Sequence, residues 1–351
     1  MTDKVTVTLE EVEILAAEAL RASKVSALNA AAVARSIVAA ERDGQQIVGL
    51  SYLPTYCDHA ACGKVDGNAT PALSELSSAC IRVDACTGFA HPALSIGLPA
   101  LITSARRQGI AVLAVGNSYA CGSLGYFVEE LAEEGLVALM FANASPSIAP
   151  YGGKLPFFGT NPLAFATPRA GKPPLVIDQS SSVVAKVAVL DAQRRGIPLP
   201  SGWALDANGE PTSDAEAAAL GSLCAIGGYK GVSLALLIDV LAGGLTASNF
   251  SFEASSFGDC GGGPPRTGQI IIALDPTRLA GPSFLSRTDT LLEALQREPN
   301  VRLPGGRRLV ARQHHQTEVT VSVEVWSLIQ RYALEGSPLL AGLRAVEAGQ
   351  S

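Results

Sequence analysis

Hydrophobic and polar residues follow two different periods along this chain, and these periods predict both helices and strands. Residues 8–11 read TLEE, a capping box that begins a helix, and apolar residues at helical spacing follow it. The same spacing predicts helices at residues 29–41, 92–107, 125–134, 232–241, 285–297 and 324–333. Continuous or alternating apolar runs predict strands at residues 81–85, 110–115, 136–141, 162–166, 174–178 and 269–273. Residues 45–70 carry many turn residues, so we expect them to be loop-rich.

A stretch rich in glycine and proline lies between two of the predicted strands. Residues 150–165 read PYGGKLPFFGTNPLAF. Such a stretch lets a ligand approach the backbone amides closely, but its composition suits an ordinary connector equally well. Its setting between two buried strands favours a binding loop.

Length and composition predict a folded protein with two lobes. The chain has 351 residues, more than the roughly 250–300 at which a single core stops growing. Hydrophobic residues make up 48% of it and charged residues only 17%, so its surface has few charges. We therefore expect an interface between subunits of a homo-oligomer. The net charge of −6 provides no basic field for nucleic acid, and we expect no such partner.

The sequence also predicts the environment of the protein. No run reaches the roughly 18 apolar residues of a membrane span, and the first residues lack a signal-peptide pattern. We therefore expect a cytoplasmic protein without a membrane partner. Its seven cysteines lack paired CxxC spacing, which is typical of reduced thiols, and its four histidines show no metal-ligand spacing. We expect no structural metal.

Three local features suggest chemistry, and each has an ordinary structural alternative. Asp178 ends an apolar strand, where a carboxylate serves either an active site or the cap of the next turn. Residues 226–231 read IGGYKG ahead of a helix, and the free N–H groups there favour an anion. Arg302, Arg307 and Arg308 suit either a phosphate clamp or a solvated basic turn. Neither GxGxxG nor P-loop spacing occurs, so the usual nucleotide motifs are missing.

Taken together, the chain resembles the non-Rossmann malate/L-lactate dehydrogenase superfamily, and within it the Δ1-piperideine-2-carboxylate and Δ1-pyrroline-2-carboxylate reductases. Seven motifs in the family's order carry the resemblance over nearly the whole chain: ERDG at 41–44, GKV at 63–65, VDA at 83–85 with GFA at 88–90, GTNPLAF at 159–165, GWALD at 202–206, GGYKG at 227–231 and RLPG at 302–305. The resemblance implies a mixed α/β fold, with a mixed sheet wrapped by helices and a helical dimerisation lobe. It also implies a homodimer that uses NADPH or NADH on a small-molecule substrate, with the active site at a domain interface.

The resemblance further implies a division of the chain into two parts. Residues 1–114 together with 275–351 would form the helical lobe for dimerisation and substrate binding. Residues 115–274 would form the NAD(P)-binding mixed-sheet domain.

Position by position, the resemblance also implies a set of binding residues. The cofactor-binding positions would be Ala120, Cys121, Gly122, Ser123, Leu124, Asp178, Gln179, Ser180, Gly227, Gly228, Lys230, Arg302 and Arg307. Thr160 matches the family's substrate-contacting threonine. These positions are mostly intact, which implies that cofactor binding is kept.

The catalytic segment departs from the family. Where the family has Ser-His-Gly-Leu and then an arginine that holds the substrate carboxylate, residues 47–52 read IVGLSY. Val48 therefore stands in place of the histidine, and Tyr52 in place of the arginine. Tyr119 and Ala120 stand where the family has further histidines. An aliphatic side chain can neither donate a proton nor pair with a carboxylate, so both functions are missing from residues 47–52.

Other side chains are candidates for the missing functions. The candidate proton donors are Tyr52, Tyr119, Cys121 and Asp178, each of which also has an interpretation as a packing residue. Val48, Tyr52 and Thr160 are the candidate substrate contacts. The missing arginine indicates either that the substrate is not a simple free 2-carboxylate or that another cation, such as Lys186, replaces the arginine.

The missing acid decides which chemistry we expect. Loss of a positioned acid or base slows reduction of a ketone roughly 10²–10⁴-fold, which disfavours an ordinary lactate or malate dehydrogenase. An imine can arrive already protonated, so its reduction tolerates the loss better. We therefore predict an NAD(P)H-dependent reductase of a C=N bond with a remodelled site, in specialised metabolism. Two alternatives stay open: a non-redox cyclisation or isomerisation on the same fold, and a catalytically silent binding or partner subunit.

Overall fold

The computed structural model describes residues 3–340. Its strands are β1 (Lys4–Thr8), β2 (Ala72–Ser77), β3 (Cys80–Asp84), β4 (Ile110–Ser118), β5 (Val137–Ala142), β6 (Leu163–Arg169), β7 (Lys172–Gln179), β8 (Ala204–Leu205), β9 (Pro211–Thr212), β10 (Ser222–Leu223), β11 (Thr267–Leu274) and β12 (Glu318–Ser322). Its α-helices are α1 (Leu9–Ala22), α2 (Ala27–Arg42), α3 (Leu53–Ala61), α4 (Ala90–Gln108), α5 (Leu124–Glu133), α6 (Lys186–Arg195), α7 (Ala215–Leu220), α8 (Tyr229–Asp239), α9 (Pro276–Ala280), α10 (Phe284–Gln296), α11 (Gly306–His314) and α12 (Val323–Glu335).

A seven-stranded mixed sheet forms the centre of the fold. Its strand order is β2-β3-β4-β11-β5-β6-β7, and every neighbouring pair is antiparallel except β3 and β4. A parallel pair needs a crossover connection, and α4 supplies it. Helices α4 and α5 bury Leu94, Leu101, Phe127 and Leu131 against the sheet. The predicted mixed sheet wrapped by helices is confirmed.

A helical lobe packs its own core beside the sheet. Helices α1, α2, α3 and α12 surround Val12, Val33, Ile37 and Ile329, and the pair β1–β12 ties the two ends of the lobe together. The predicted capping box is present, because the Thr8 hydroxyl accepts the backbone N–H of Glu11 at 3.0 Å. A third, smaller core lies under β8–β10, α6 and α7.

Two helices lie where the sequence predicted loops or turns. Residues 45–70 contain α3, which begins with Pro54 in its first turn and buries Tyr56, Cys57 and Ala60 at helical spacing. The short 3₁₀ turns Gln46–Val48 and Leu50–Tyr52 precede it. Helix α11 includes Arg307 and Arg308, which the sequence analysis assigned to a basic turn or phosphate clamp. Both helices depend on tertiary packing, which local turn residues do not reveal.

The predicted division into two parts stays a prediction, although the large sheet begins before residue 115. Strands β2 and β3 pair in that sheet, and α4 packs on it. Residues 341–351 of the proposed helical lobe lie outside the described residues. Within residues 3–340, no helix combines the length and apolar character needed to cross a membrane.

Candidate active site

A cavity of about 770 Å³ lies where α2, α5, β7 and the segment before α11 meet. Gln45 borders it just beyond α2, Ser123 from the start of α5, and Asp178 from the end of β7. Arg302 and Arg307 border it from the other side. The structure thus brings together four of the predicted cofactor-binding residues, which come from three distant parts of the chain.

Asp178 is the acceptor that fixes one wall of this cavity. Its Oδ2 accepts the hydroxyl of Ser123 at 2.8 Å and the backbone N–H of Gly125 at 2.7 Å. A carboxylate at the first turn of a helix is stabilised by the free N–H groups there, so Asp178 caps α5 from outside that helix. A Cβ atom on Gly125 would lie 3.1 Å from the same oxygen, which leaves little room for any other residue. The capping role is observed, whereas the catalytic role of Asp178 stays a prediction.

Arg308 also lines the cavity, but its guanidinium group is paired with two carboxylates. Its Nη2 donates to Glu129 Oε1 at 2.9 Å, and its Nη1 lies 3.3 Å from Asp43 Oδ2. Arg312 binds the same two carboxylates, so two guanidinium groups and two carboxylates form a mostly buried quartet. Burial alone would raise the pKa of Glu129, but hydrogen bonds from Arg312 and Arg308 outweigh burial and lower it.

The quartet leaves Arg302 and Arg307 as the available cations of the cavity. Within residues 3–340, no carboxylate lies within ion-pair distance of either guanidinium group, and both residues are exposed. Gly305, between them, has φ +74°, and a Cβ there would lie 2.9 Å from the carbonyl oxygen of Val176. The glycine lets this segment approach β7 closely, which places both arginines at the rim.

The remaining predicted cofactor residues follow β7 away from the cavity. Ser180 donates its hydroxyl to the carbonyl of Thr160 at 3.1 Å, while Gln179 is exposed beside it. The backbone N–H of Ile226 donates to Ser181 at 2.9 Å, which brings the loop before α8 against this segment. Gly227, Gly228 and Lys230 lie at the exposed start of α8 and do not line the 770 Å³ cavity.

The predicted segment 120–124 changes from buried to cavity-lining along its length. Cys121 and Leu124 are buried, Ala120 packs against the helical lobe, and Gly122 is half-buried. Burial raises the pKa of the Cys121 thiol to about 12, so this candidate acid is a neutral packing residue at physiological pH. Of the five residues, Ser123 contributes to the cavity wall.

The loop that carries Val48 is held by a glutamate that sequence reasoning did not single out as a site residue. Glu41, at the end of α2, accepts the backbone N–H of Leu50 at 2.7 Å, and its other oxygen is buried without a hydrogen-bond partner among residues 3–340. Burial raises the pKa of Glu41 to about 7. Val48 itself is half-buried at the end of a 3₁₀ turn. Its role in substrate binding, like that of Thr160, stays a prediction.

The two candidate tyrosines belong to one aromatic cluster in the helical lobe. The rings of Tyr52 and Tyr56 meet edge-on with their centroids 4.8 Å apart, and Tyr119 meets Phe257 at 5.1 Å. Tyr119 is fully buried, and burial raises the pKa of its hydroxyl well above the ordinary value. Burial also raises the pKa of Tyr52, which is half-buried.

His59 on α3 adds a titratable group to this cluster. Its Nδ1 is hydrogen-bonded to the hydroxyl of Tyr119. Burial and, after it, the charge of Lys64 lower the pKa of His59, so the imidazole is neutral at physiological pH. His59 was not predicted as a site residue, because residues 45–70 were expected to be loop-rich. Its only signal is the three-residue spacing from Tyr56, which places both on one face of a helix.

Other candidate chemistry does not converge on the cavity. Lys186 is exposed at the start of α6 and lies outside the cavity lining. In the part of the chain from residue 3 to 340, no three side chains of His, Cys, Asp or Glu come together in a way that could hold a metal ion.

Comparisons with known proteins find similar proteins that align with most of the chain. The sequence model of the malate/L-lactate dehydrogenase family matches residues 7–330. The chain is 44% identical over 328 residues to (2R)-3-sulfolactate dehydrogenase (NADP(+)) of Chromohalobacter salexigens, covering 93% of this chain and 98% of that protein. It is 41% identical over 281 residues to the Δ1-pyrroline-2-carboxylate/Δ1-piperideine-2-carboxylate reductase of Pseudomonas syringae pv. tomato, covering 80% and 82%. The crystal structure of Δ1-piperideine-2-carboxylate reductase from Pseudomonas syringae superimposes with a TM-score of 0.89 at 37% identity, covering 93% of this chain and 99% of that one.

Proposed function

The chain belongs to the malate/L-lactate dehydrogenase family, and on this premise we propose that it is an NADPH-dependent reductase of cyclic imines. The predicted family, fold class and oxidoreductase class are confirmed. The nature of the bond reduced and the roles of single residues are the proposal.

Two arginines at the rim of the cavity support the proposal that it binds a phosphorylated dinucleotide. Two exposed guanidinium groups at its rim, those of Arg302 and Arg307, have no carboxylate partner among residues 3–340. Guanidinium groups bind phosphate oxygens through paired N–H donors. The volume of about 770 Å³ lies within the range of small-molecule and cofactor sites. NADPH fits this arrangement, and a relative at 44% identity carries NADP(+) in its name.

The single observation that favours an imine is the apolar turn that follows the cavity-lining Gln45 in the chain. Residues 46–48 form a 3₁₀ turn that follows Gln45. This turn contains Ile47 and Val48, at the positions where the family that the chain resembles has a serine and a histidine. A C=O bond needs a positioned proton donor during reduction, whereas a C=N bond can be protonated before it binds. Four reductases of Δ1-pyrroline-2-carboxylate, at 36–42% identity, show that related chains serve this substrate class.

We assign the following roles to the side chains of this protein. When bound, NADPH supplies the hydride that forms the new C–H bond. Arg302 and Arg307 bind its phosphates, Ser123 and Asp178 hold the wall of the cavity, and Val48 contacts the apolar ring of the substrate. Holding the imine carbon close to the donor is then the main contribution of the protein.

We extend the proposal to a homodimer in the cytoplasm. Helix α8 and the turn after it expose Leu236, Leu237, Val240 and Leu245, each with about half or more of its surface accessible, and such a row suits a subunit interface. All seven cysteines are free thiols in the structure, which suits a reducing compartment. Light scattering of the purified protein tests the dimer.

Isotope transfer tests the reductase directly. The protein is incubated with NADPH that carries deuterium on the transferred position and with Δ1-piperideine-2-carboxylate. We expect piperidine-2-carboxylate with one deuterium, detected by mass spectrometry. Unlabelled or absent product, in a preparation that binds NADPH, contradicts the proposal.

A second candidate is a dehydrogenase of sulfolactate type, acting on a C–OH/C=O pair. It is favoured by the relative named (2R)-3-sulfolactate dehydrogenase, 98% of whose length aligns with this chain. Turnover of 3-sulfolactate with NADP⁺, in the absence of imine reduction, would select this candidate.

A further inference from the structure

We propose that Ser181 is a positioning residue, which fixes three separate segments of the chain relative to one another for hydride transfer. These segments are the turn at residues 159–161, the end of β7 with Asp178, and the loop that leads into α8. The inference rests on the proposed reductase function and adds a residue that the sequence did not indicate. Ser181 has no exposed surface, so it acts through the segments that it joins and not by contact with the substrate.

Every polar group of Ser181 is hydrogen-bonded to another segment. Its backbone N–H donates to the carbonyl of Thr160 at 2.8 Å, and its hydroxyl donates to the carbonyl of Asn161 at 2.7 Å. Its own carbonyl accepts the backbone N–H of Ile226 at 2.9 Å. The regular pairing of β6 with β7 ends two residues earlier, at Gln179. Ser181 therefore extends the connection beyond the sheet and adds the loop before α8 to it.

The turn that accepts these bonds is held rigidly from two sides. Asn161 is fully buried and has φ +35°, in the left-handed region that few residues other than glycine and asparagine adopt. Its side-chain amide donates to the carbonyl of Ala235 on α8 at 2.8 Å, and its Oδ1 accepts the backbone N–H of Ala144 at 3.3 Å. A Cβ atom on Gly159 would collide with the carbonyl oxygen of Ala144, so no larger residue fits there. The hydroxyl of Ser181 is thus bonded to a turn that cannot follow a displaced strand.

The segment that contains Ser181 reaches the cavity three residues earlier. Asp178 lines the cavity and is fixed to the start of α5 through Ser123 and Gly125. Because three residues of chain span at most about 11 Å, the Cα atom of Ser181 lies within that distance of the Cα atom of Asp178. Residues 178–181 are therefore held by α5 at one end, and by the turn and the loop before α8 at the other.

This junction would control the distance between the bound cofactor and the substrate. Thr160, the candidate substrate contact, accepts hydrogen bonds from Ser180 and Ser181 at its backbone carbonyl. Its half-buried side chain takes no part in these bonds. Asp178 lies on the cofactor side of the same segment. Because a displacement of about 1 Å can cost about 10²-fold in rate, loss of one bond in this junction is expected to slow hydride transfer.

Amide hydrogen exchange tests the junction without any turnover. Ser181→Ala removes the hydroxyl and keeps the backbone groups. We expect the amide of Ile226 to exchange at least fivefold faster in this variant, because its acceptor belongs to a segment that has lost a bond. The matched control is Ser104→Ala, which removes a buried hydroxyl bonded at 2.8 Å to the carbonyl of Ser78, between α4 and the residue after β2. It should leave the exchange of Ile226 unchanged. A change smaller than fivefold in a folded Ser181→Ala protein overturns the inference.

Kinetics then test the positioning role. We expect Ser181→Ala to lower kcat for Δ1-piperideine-2-carboxylate at least fivefold. The NADPH Kd should stay within threefold, because the rim arginines proposed to bind its phosphates belong to another segment. Ser181→Thr keeps a hydroxyl and should retain more than half of the wild-type kcat. Ser104→Ala should keep kcat within twofold, although it too loses a buried hydrogen bond.

The outcomes separate this inference from the proposed function. An active wild type whose Ser181→Ala form loses less than fivefold in kcat overturns the inference, and so does an equal loss in Ser104→Ala. A wild type that binds NADPH and shows the expected exchange at Ile226, but reduces no imine, contradicts the proposed function and supports the junction. If Ser181→Ala does not fold, Ser181→Cys takes its place, because a thiol is a weaker donor of similar size.

Discussion

Arg308 Nη2 lies 2.9 Å from Glu129 Oε1, so a side chain of α11 is paired with one of α5 across 179 positions of sequence. The pair belongs to the quartet with Asp43 and Arg312, next to the wall of the cavity. Because α11 follows directly on Gly305, this contact fixes the segment that carries Arg302 and Arg307. The quartet therefore connects the stability of the fold to the shape of the proposed cofactor site.

Glu129→Gln is expected to lower the free energy of unfolding by about 3–5 kcal/mol, because it leaves two mostly buried guanidinium groups with less compensating charge. Urea denaturation followed by circular dichroism measures the effect. Glu130→Gln on the same helix is the control, since Glu130 is exposed and has no such partners among the described residues; its effect should stay within about 0.5 kcal/mol. Equal effects of the two substitutions would contradict the structural role of the quartet.

The raised pKa of Glu41 predicts that the folded protein loses stability as the pH rises. Burial raises its pKa in the folded state from the ordinary 4.5 to about 7, so the folded state holds the proton more tightly than the unfolded state. The resulting stabilisation is fully present below pH 4.5 and is lost as the pH rises through 7. Its size is about 3 kcal/mol for a shift of this magnitude.

Glu41→Gln removes the titration, so we expect the free energy of unfolding of this variant to change less between pH 5 and pH 8 than that of the wild type. Denaturant titrations at several pH values give the difference between the two slopes. Glu18→Gln, an exposed substitution on α1, should keep the wild-type slope. A Glu41→Gln slope indistinguishable from the wild type would show that Glu41 titrates normally.

Arg302→Ala and Arg307→Ala are each expected to weaken NADPH binding about tenfold, because each removes a charged donor to a phosphate. Binding is measured by nicotinamide fluorescence, in parallel with NADH to separate the contribution of the extra phosphate. Arg297→Ala, an exposed arginine just beyond α10, should leave both affinities unchanged. If neither rim arginine affects NADPH binding, the cofactor phosphates lie elsewhere.

Val48→His tests why this chain would prefer an imine. Restoring an imidazole at the apolar loop is expected to raise kcat/KM for a 2-oxo acid at least tenfold, since it returns a proton donor to that position. Val48→Leu keeps the loop apolar and should produce no gain. A Val48→His variant that folds and binds NADPH without any gain would mean that the loop does not face the reacting carbonyl.

The helices and strands with periodic apolar residues could be predicted from the sequence, because that pattern depends only on residues close together in the chain. Apolar spacing identified α1, α2, α4, α5, α10 and α12 and the strands β3 to β7 and β11 to within a few residues. Strands β1 and β12 were not predicted, because each is short and is stabilised by its partner strand over 300 residues away. Helix α3 was not predicted, because the turn residues before and after it hide the helical spacing of its buried residues.

Residues of the candidate site could be predicted from the sequence only where the residue type at a single position indicates its role. Asp178, Ser123, Arg302 and Arg307 were identified by position and do line one cavity. Arg308 was grouped with the latter two on charge alone, and its burial against Glu129 depends on contacts between distant segments. Glu41 and His59 were missed for the same reason, because burial and hydrogen bonding give them their properties.

The most direct test of the account compares two substrates on the wild-type protein. Oxidation of NADPH is measured with Δ1-piperideine-2-carboxylate and, separately, with sulfopyruvate, the oxo acid that corresponds to sulfolactate. The account predicts a kcat/KM for the imine about 10²-fold or more above that for the oxo acid. An equal or higher value for the oxo acid would contradict it and assign the protein to the dehydrogenases that reduce C=O.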